Sequence, residues 1–237
     1  MAENWQLFWQ NYRKIDPQSE DDLFFQVGKT SNQKPIPQVT FQKIIFDIVT
    51  NLDLKKGDTL LEMCCGNGLF TYELINFVKS INAFDFTESL IESANKFKSH
   101  NNITYAIGDA NDDFESIFDV KLPIFTKYLM NDATAYFTPE QLNDLIKRIQ
   151  KKSTTFSLYL TNIPNDSKKW NFYNTIERKE NYENSLKKGD VFLGGMGRWW
   201  KIEEFEELAL QNDLEVQFID TNDELNYRVN VLFKKNI

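Results

Sequence analysis

Four acids in this chain stand in or just after short apolar runs, where a buried strand would end. Glu62 interrupts Thr59 to Met63, Asp85 closes the run from Ile81, Asp109 follows Ile103 to Ile107, and Asp132 follows Ile124 to Met130. Carboxylates at strand ends are hydrogen-bond acceptors held on a rigid frame, suited to hydroxyl and amino groups of a ligand. The first run leads into Gly66-Asn67-Gly68 and then into apolar residues at Leu69, Tyr72, Leu74, Ile75 and Val78. Strand, glycine turn and helix in this order let the backbone approach a ligand closely and offer it unpaired N–H groups. A nucleotide-like ligand is expected here. Asp85, about 20 residues past the glycines, is placed to accept from both ribose hydroxyls.

The turn disfavours one nucleotide class and excludes another. A nicotinamide or flavin fingerprint needs a third glycine, but the chain reads Cys64-Cys65-Gly66-Asn67-Gly68-Leu69. No G-x-x-x-x-G-K-[ST] follows the run, so it is not a P-loop. What Glu62, Gly66 and Gly68 resemble is the first motif of the S-adenosylmethionine-dependent methyltransferases with a Rossmann-like fold, an acid at the strand end followed by G-x-G-x-G. Cys64 stands where that family usually has its first glycine. The resemblance implies S-adenosylmethionine as cofactor, with Glu62 holding its ammonium group, Asp109 accepting from the adenine amino group and the Ala110 N–H touching the ring. It further implies that Phe86 packs on the adenine, and that Cys64, Gly66, Asn67, Gly68 and Asn131 border the cofactor. Asp132, at the end of the fourth strand, is the candidate general base. His100, the single histidine, precedes the third strand at its amino end and is expected to be exposed rather than catalytic.

The elements that must position these groups alternate. Phe41, Ile44, Ile45, Ile48, Val49 and Leu52 form one helical face. Strands are expected at 59–63, 81–86, 103–107, 124–130 and 154–160, separated by helices. One of these starts at Thr87, another at Thr138-Pro139-Glu140-Gln141, a capping box with proline in the first turn. Two strands, 214–219 and 227–233, close the chain as an antiparallel hairpin. The fold expected is a Rossmann-like three-layer α/β sandwich, its seven-stranded sheet mostly parallel with the last strand antiparallel. The reading is of a single domain. Residues 1–37 form an N-terminal cap, 38–160 the cofactor-binding core, 161–200 a lid on the acceptor side, and 201–237 the last helix and hairpin.

With 237 residues and a formal charge of −8, the chain lacks the basic stripe that nucleic acid or an anionic membrane surface calls for. The acceptor is therefore expected to be a small molecule, a sugar or metabolite hydroxyl among the options. Trp9, Tyr12 and Gln26 of the cap and Tyr173, Arg198 and Trp199 of the lid are its candidate binding residues. The two cysteines are adjacent and pair neither as a disulfide framework nor as a metal site, as expected in a cytoplasmic protein. A non-catalytic cofactor-binding protein and a nicotinamide-dependent oxidoreductase are the alternatives.

Overall fold

The computed structural model describes residues 5–12, 15–189, 196–221 and 225–236. The chain divides into two compact units, residues 2–129 and 130–237. The first carries α1 (Trp5–Asn11), α2 (Glu20–Gln26), a short hairpin of β1 (Thr30–Ser31) and β2 (Lys34–Pro35), α3 (Gln38–Asn51), β3 (Thr59–Met63), α4 (Thr71–Leu74), β4 (Ser80–Asp85), α5 (Glu88–Phe97), β5 (Ile103–Ile107) and α6 (Phe114–Phe118). Strand β6 (Lys127–Asn131) follows. Beyond it are α7 (Pro139–Lys152), β7 (Phe156–Pro164), α8 (Lys169–Phe172), α9 (Ile176–Lys187), α10 (Ile202–Asn212), β8 (Glu215–Asp220) and β9 (Arg228–Lys235).

Seven strands form one sheet in the order β5-β4-β3-β6-β7-β9-β8, and β9 runs antiparallel to both its neighbours. This is the expected Rossmann-like α/β sheet with helices around it. In the first unit β4 lies parallel between β3 and β5. Leu60, Leu61, Met63, Ala83 and Phe84 are fully buried there, the pattern of strands covered on both faces. In the second unit Leu142, Leu145, Ile146 and Ile149 bury the inner face of α7. Its start is the capping box read from the sequence, with Thr138 accepting from the Gln141 N–H and Gln141 from the Thr138 N–H.

Three expectations are corrected. The helix after the glycine turn is only the four-residue α4, followed by further turns. The fifth strand, expected over 154–160, runs on as β7 to Pro164 across a bulge between Leu160 and Ile163, and α8 and α9 follow it within the lid segment. Helix α9 starts where the Thr175 hydroxyl accepts from the Arg178 N–H, and it buries no residue, so it carried no apolar period to read. Gly194 and Gly195, expected in the lid, lie outside the described residues. Finally, the fourth strand begins at Lys127 rather than Ile124, which is exposed.

Candidate functional site

The glycine turn is three left-handed residues in five: Cys64 (φ 57°), Gly66 (φ 58°) and Gly68 (φ 73°). Left-handed backbone is costly for a residue with a Cβ, so Cys64 shows directly why glycine suits that place. A Cβ on Gly68 would lie 2.5 Å from Tyr105 Oη of β5, and one on Gly66 would lie 3.1 Å from Val27 Cγ1. Asp85 ties the turn to the next strand end. Its Oδ2 accepts the Gly66 N–H at 3.0 Å and its Oδ1 the Thr87 N–H at 2.9 Å. Thr87 therefore occupies the cap position of α5 with its N–H bound to Asp85, while its hydroxyl makes no capping bond. Burial raises the Asp85 carboxyl from its ordinary value, and the two backbone donors work against that rise.

Glu62, Asp85 and Asp109 are brought together. The charge of each acts on Cys64, whose thiol is pushed well up by burial first and by these acids second. Glu62 is 1% exposed, and burial pushes its carboxyl up to about 7. The Thr71 hydroxyl is near enough to oppose this, yet neither Glu62 Oε2 nor Thr71 Oγ1 completes a hydrogen bond of ordinary geometry. Asp109 is half-buried and accepts the backbone N–H and side-chain amide of Asn111 at 2.8 and 2.7 Å. Ala110 beside it is buried. Phe84 lies in the core, whereas Phe86 past the strand end is partly exposed. His100 is exposed on the turn before β5, its Nδ1 accepting from the Asn102 N–H.

The cap residues meet in one place. Trp9 and Tyr12, their rings 4.8 Å apart, line a cavity of about 490 Å3 with Gln26, Thr87, Ser89 and Ser93. Asn67, expected against the cofactor, instead points its amide at α2, donating to Leu23 O and Gln26 Oε1, both at 2.9 Å.

In the second unit Asn131 and Asp132 follow β6. Thr161 donates to Asn131 Oδ1 at 2.6 Å, and Asp132 Oδ1 accepts from Asn162 Nδ2 at 2.7 Å and from Arg228 Nη1 at 3.1 Å. Arg228 also donates to Asn162 O. Asp132, the candidate base, is thus tied through Arg228 to β9. Tyr173 and Trp199 are buried, with ring centroids 5.5 Å apart. Tyr173 Oη and Trp199 Nε1 complete no hydrogen bond of ordinary geometry. Arg198 pairs with Glu204 and lies over the Trp200 ring, so its charge is already used within the fold.

The chain matches the family model described as a methyltransferase domain over residues 54–212. It belongs to the methyltransferase-domain family. No curated protein matches it by sequence. Among solved structures it resembles magnesium protoporphyrin IX methyltransferase from Synechocystis with bound SAM. The TM-score is 0.58 at 11% identity, covering 99% of this chain and 93% of that one. It also resembles N-methyltransferase NodS from Bradyrhizobium japonicum with S-adenosyl-L-homocysteine. There the TM-score is 0.54 at 13% identity, covering 83% and 87%.

This methyltransferase uses S-adenosylmethionine. When bound, that cofactor supplies a methyl group on a sulfonium, already activated toward in-line displacement. The residues fit it: Glu62 presents a buried acceptor atom without a partner, the right chemistry for an ammonium group. Asp85 spends one acceptor position per oxygen on backbone, leaving each oxygen a second for a hydroxyl. Sequence reasoning missed Arg228, Asn162 and Tyr105 as parts of these arrangements. The first two lie in the bulge and in β9, far along the chain from Asp132, and nothing local marks them. Tyr105 could have been found as the large residue opposite the glycine turn.

Proposed function

We propose that this methyltransferase acts on a small organic acceptor, held in the cavity lined by Trp9, Tyr12 and Gln26. The observation that carries this is the cavity's wall. It combines the aromatic faces of the cap with Thr87 and Ser89, the residues that follow the ribose acid Asp85. About 490 Å3 suits a metabolite and not a folded polymer. The formal charge of −8 also speaks against a nucleic-acid acceptor. Among the described residues no helix is long and apolar enough to cross a membrane, and the two free thiols fit a reducing, cytoplasmic setting. The cap, core and hairpin are proposed to work as a single domain. Asp132 enters as a hydrogen-bond acceptor fixed by Arg228, and the protein's contribution to the transfer is alignment and exclusion of water.

A second reading places the acceptor against Tyr173 and Trp199, because both carry a buried polar atom without a completed bond. Labelled methyl transfer from S-adenosylmethionine to a panel of hydroxyl, amine and carboxylate acceptors separates the two. Trp9→Ala is expected to raise the acceptor KM at least tenfold and leave cofactor binding intact. If Trp9→Ala is silent and Trp199→Ala raises KM, the acceptor lies at the second place.

A further inference from the structure

The glycine turn is held by few groups of its own. Cys65 N donates to Phe84 O, Gly66 N to Asp85, and Gly68 N to Cys65 O. Its middle residue, Asn67, is fully buried and spends its amide nitrogen on α2, bonding Leu23 O and Gln26 Oε1. Gln26 is 3% exposed, and its own amide nitrogen donates to Ser93 Oγ of α5 at 3.0 Å and to Ile15 O at 3.3 Å. Two side-chain amides thus link a helix of the cap to the apex of the turn and to the helix that follows the ribose acid. A second contact supports the same docking: Val27, the C-cap of α2, packs so closely on Gly66 that a Cβ there would meet it at 3.1 Å. The cap is further stapled to the C-cap residue of α5, Lys98, by Glu20 at 2.7 Å.

We infer that Gln26 is a positioning residue for the cofactor, acting through Asn67 to hold the left-handed glycine turn in its ligand-ready shape. The N-terminal cap is then part of the cofactor site and not only a cover for the acceptor. The physical reason is that three left-handed positions within five residues need an outside restraint, and buried amides with fixed partners supply one. Because Gln26 also lines the Trp9–Tyr12 cavity, whatever fills that cavity bears on the same carboxamide. Cofactor and cavity ligand should therefore strengthen each other's binding.

The inference rests on the reading of the glycine turn as the cofactor site and stands apart from the choice of acceptor. It is tested with S-adenosylhomocysteine as probe. Gln26→Leu keeps the volume and removes all three hydrogen bonds of the carboxamide, and calorimetric titration should show the probe bound about tenfold more weakly. Ser93→Ala cuts only the arm that does not reach the turn. It should lower the melting temperature without changing the probe's Kd, whereas a merely structural Gln26 would make affinity follow stability in both variants. Equal binding by Gln26→Leu and the unaltered chain, or equal weakening by Ser93→Ala, overturns the inference. Should Gln26→Leu fail to fold, hydrogen exchange of the unaltered chain decides. The probe should protect backbone amides at 23–28, and unchanged exchange there overturns the inference. Failure of the unaltered chain to bind the probe at all would instead count against the cofactor assignment.

Discussion

Asp85 and Asp132 each follow a buried strand, yet they are held by opposite kinds of partner. Asp85 accepts two backbone N–H groups, which are neutral and cannot leave. Asp132 accepts from a side-chain amide and from the guanidinium of Arg228. The first arrangement stabilises a turn and leaves acceptor capacity for a ligand. The second neutralises the acid and fixes the bulge at Asn162, a left-handed residue at φ 60°. An acid at a strand end is thus not one kind of site. The partner it finds decides whether it serves a ligand or the fold.

The largest break in this comparison is expected from Asp85→Ala. It strips the turn of its acceptor and, with Asp85 as the proposed ribose acid, the ligand of an anchor. Titration with S-adenosylmethionine should show affinity down by more than about a hundredfold, in line with two or more charge-assisted bonds at roughly 1.5–3 kcal/mol each. Arg228→Met should act on the fold instead. It leaves the half-buried Asp132 beside Asn162 without its cation, at a cost of about 1.5–2 kcal/mol in urea denaturation. Cofactor affinity should move little. Asp132→Asn should cost less than Arg228→Met, and a reversal of that order would show that the pair is not what holds the bulge.

Glu62 sharpens the comparison, since it is the buried acid with an oxygen left unpaired. Its carboxyl is raised from 4.5 to about 7, so the ligand-free folded state keeps a proton that the unfolded chain loses. Stability from this group is full below pH 4.5 and is lost as pH rises to about 7, a total of about 3 kcal/mol. Cofactor binding should run the other way. The ammonium favours the carboxylate, so affinity should climb by up to about tenfold per pH unit below pH 7 and level off above it. Glu62→Gln should flatten both profiles, as followed by melting temperature and calorimetry between pH 5 and 8. Profiles that keep their slope in the variant would assign the titration elsewhere. The smallest effect is expected from Cys64→Gly. It relieves a left-handed cysteine at φ 57° and should stabilise the fold by about 0.5–1 kcal/mol.

Legibility in the sequence followed the range of the interactions. Strand ends and the α7 capping box could be read because each is set by neighbours within a few residues, as with Thr138 and Gln141. The acids around the turn could be read because strand, turn and spacing agree. Helix α9 could not, since Ile176–Lys187 buries no side chain and so shows no face. The bond between Gln26 and Asn67 could not be read either, since nothing near Gln26 announces a partner 41 positions away. Arg228 is 96 positions from Asp132, and only the return of β9 beside the β7 bulge joins them.

Tyr105 leaves a different kind of trace. Its phenol oxygen occupies the space that a side chain at position 68 would need, while donating to Lys98 O at 3.1 Å. The two positions form a lock in which one residue is small because the other is large. Descendants of this chain that shrink Tyr105 lose the steric barrier at 68 and keep only the cost of the left-handed backbone at φ 73°, while those that keep it face both. Paired replacement at 68 and 105 would be the inherited signature of how this turn is packed.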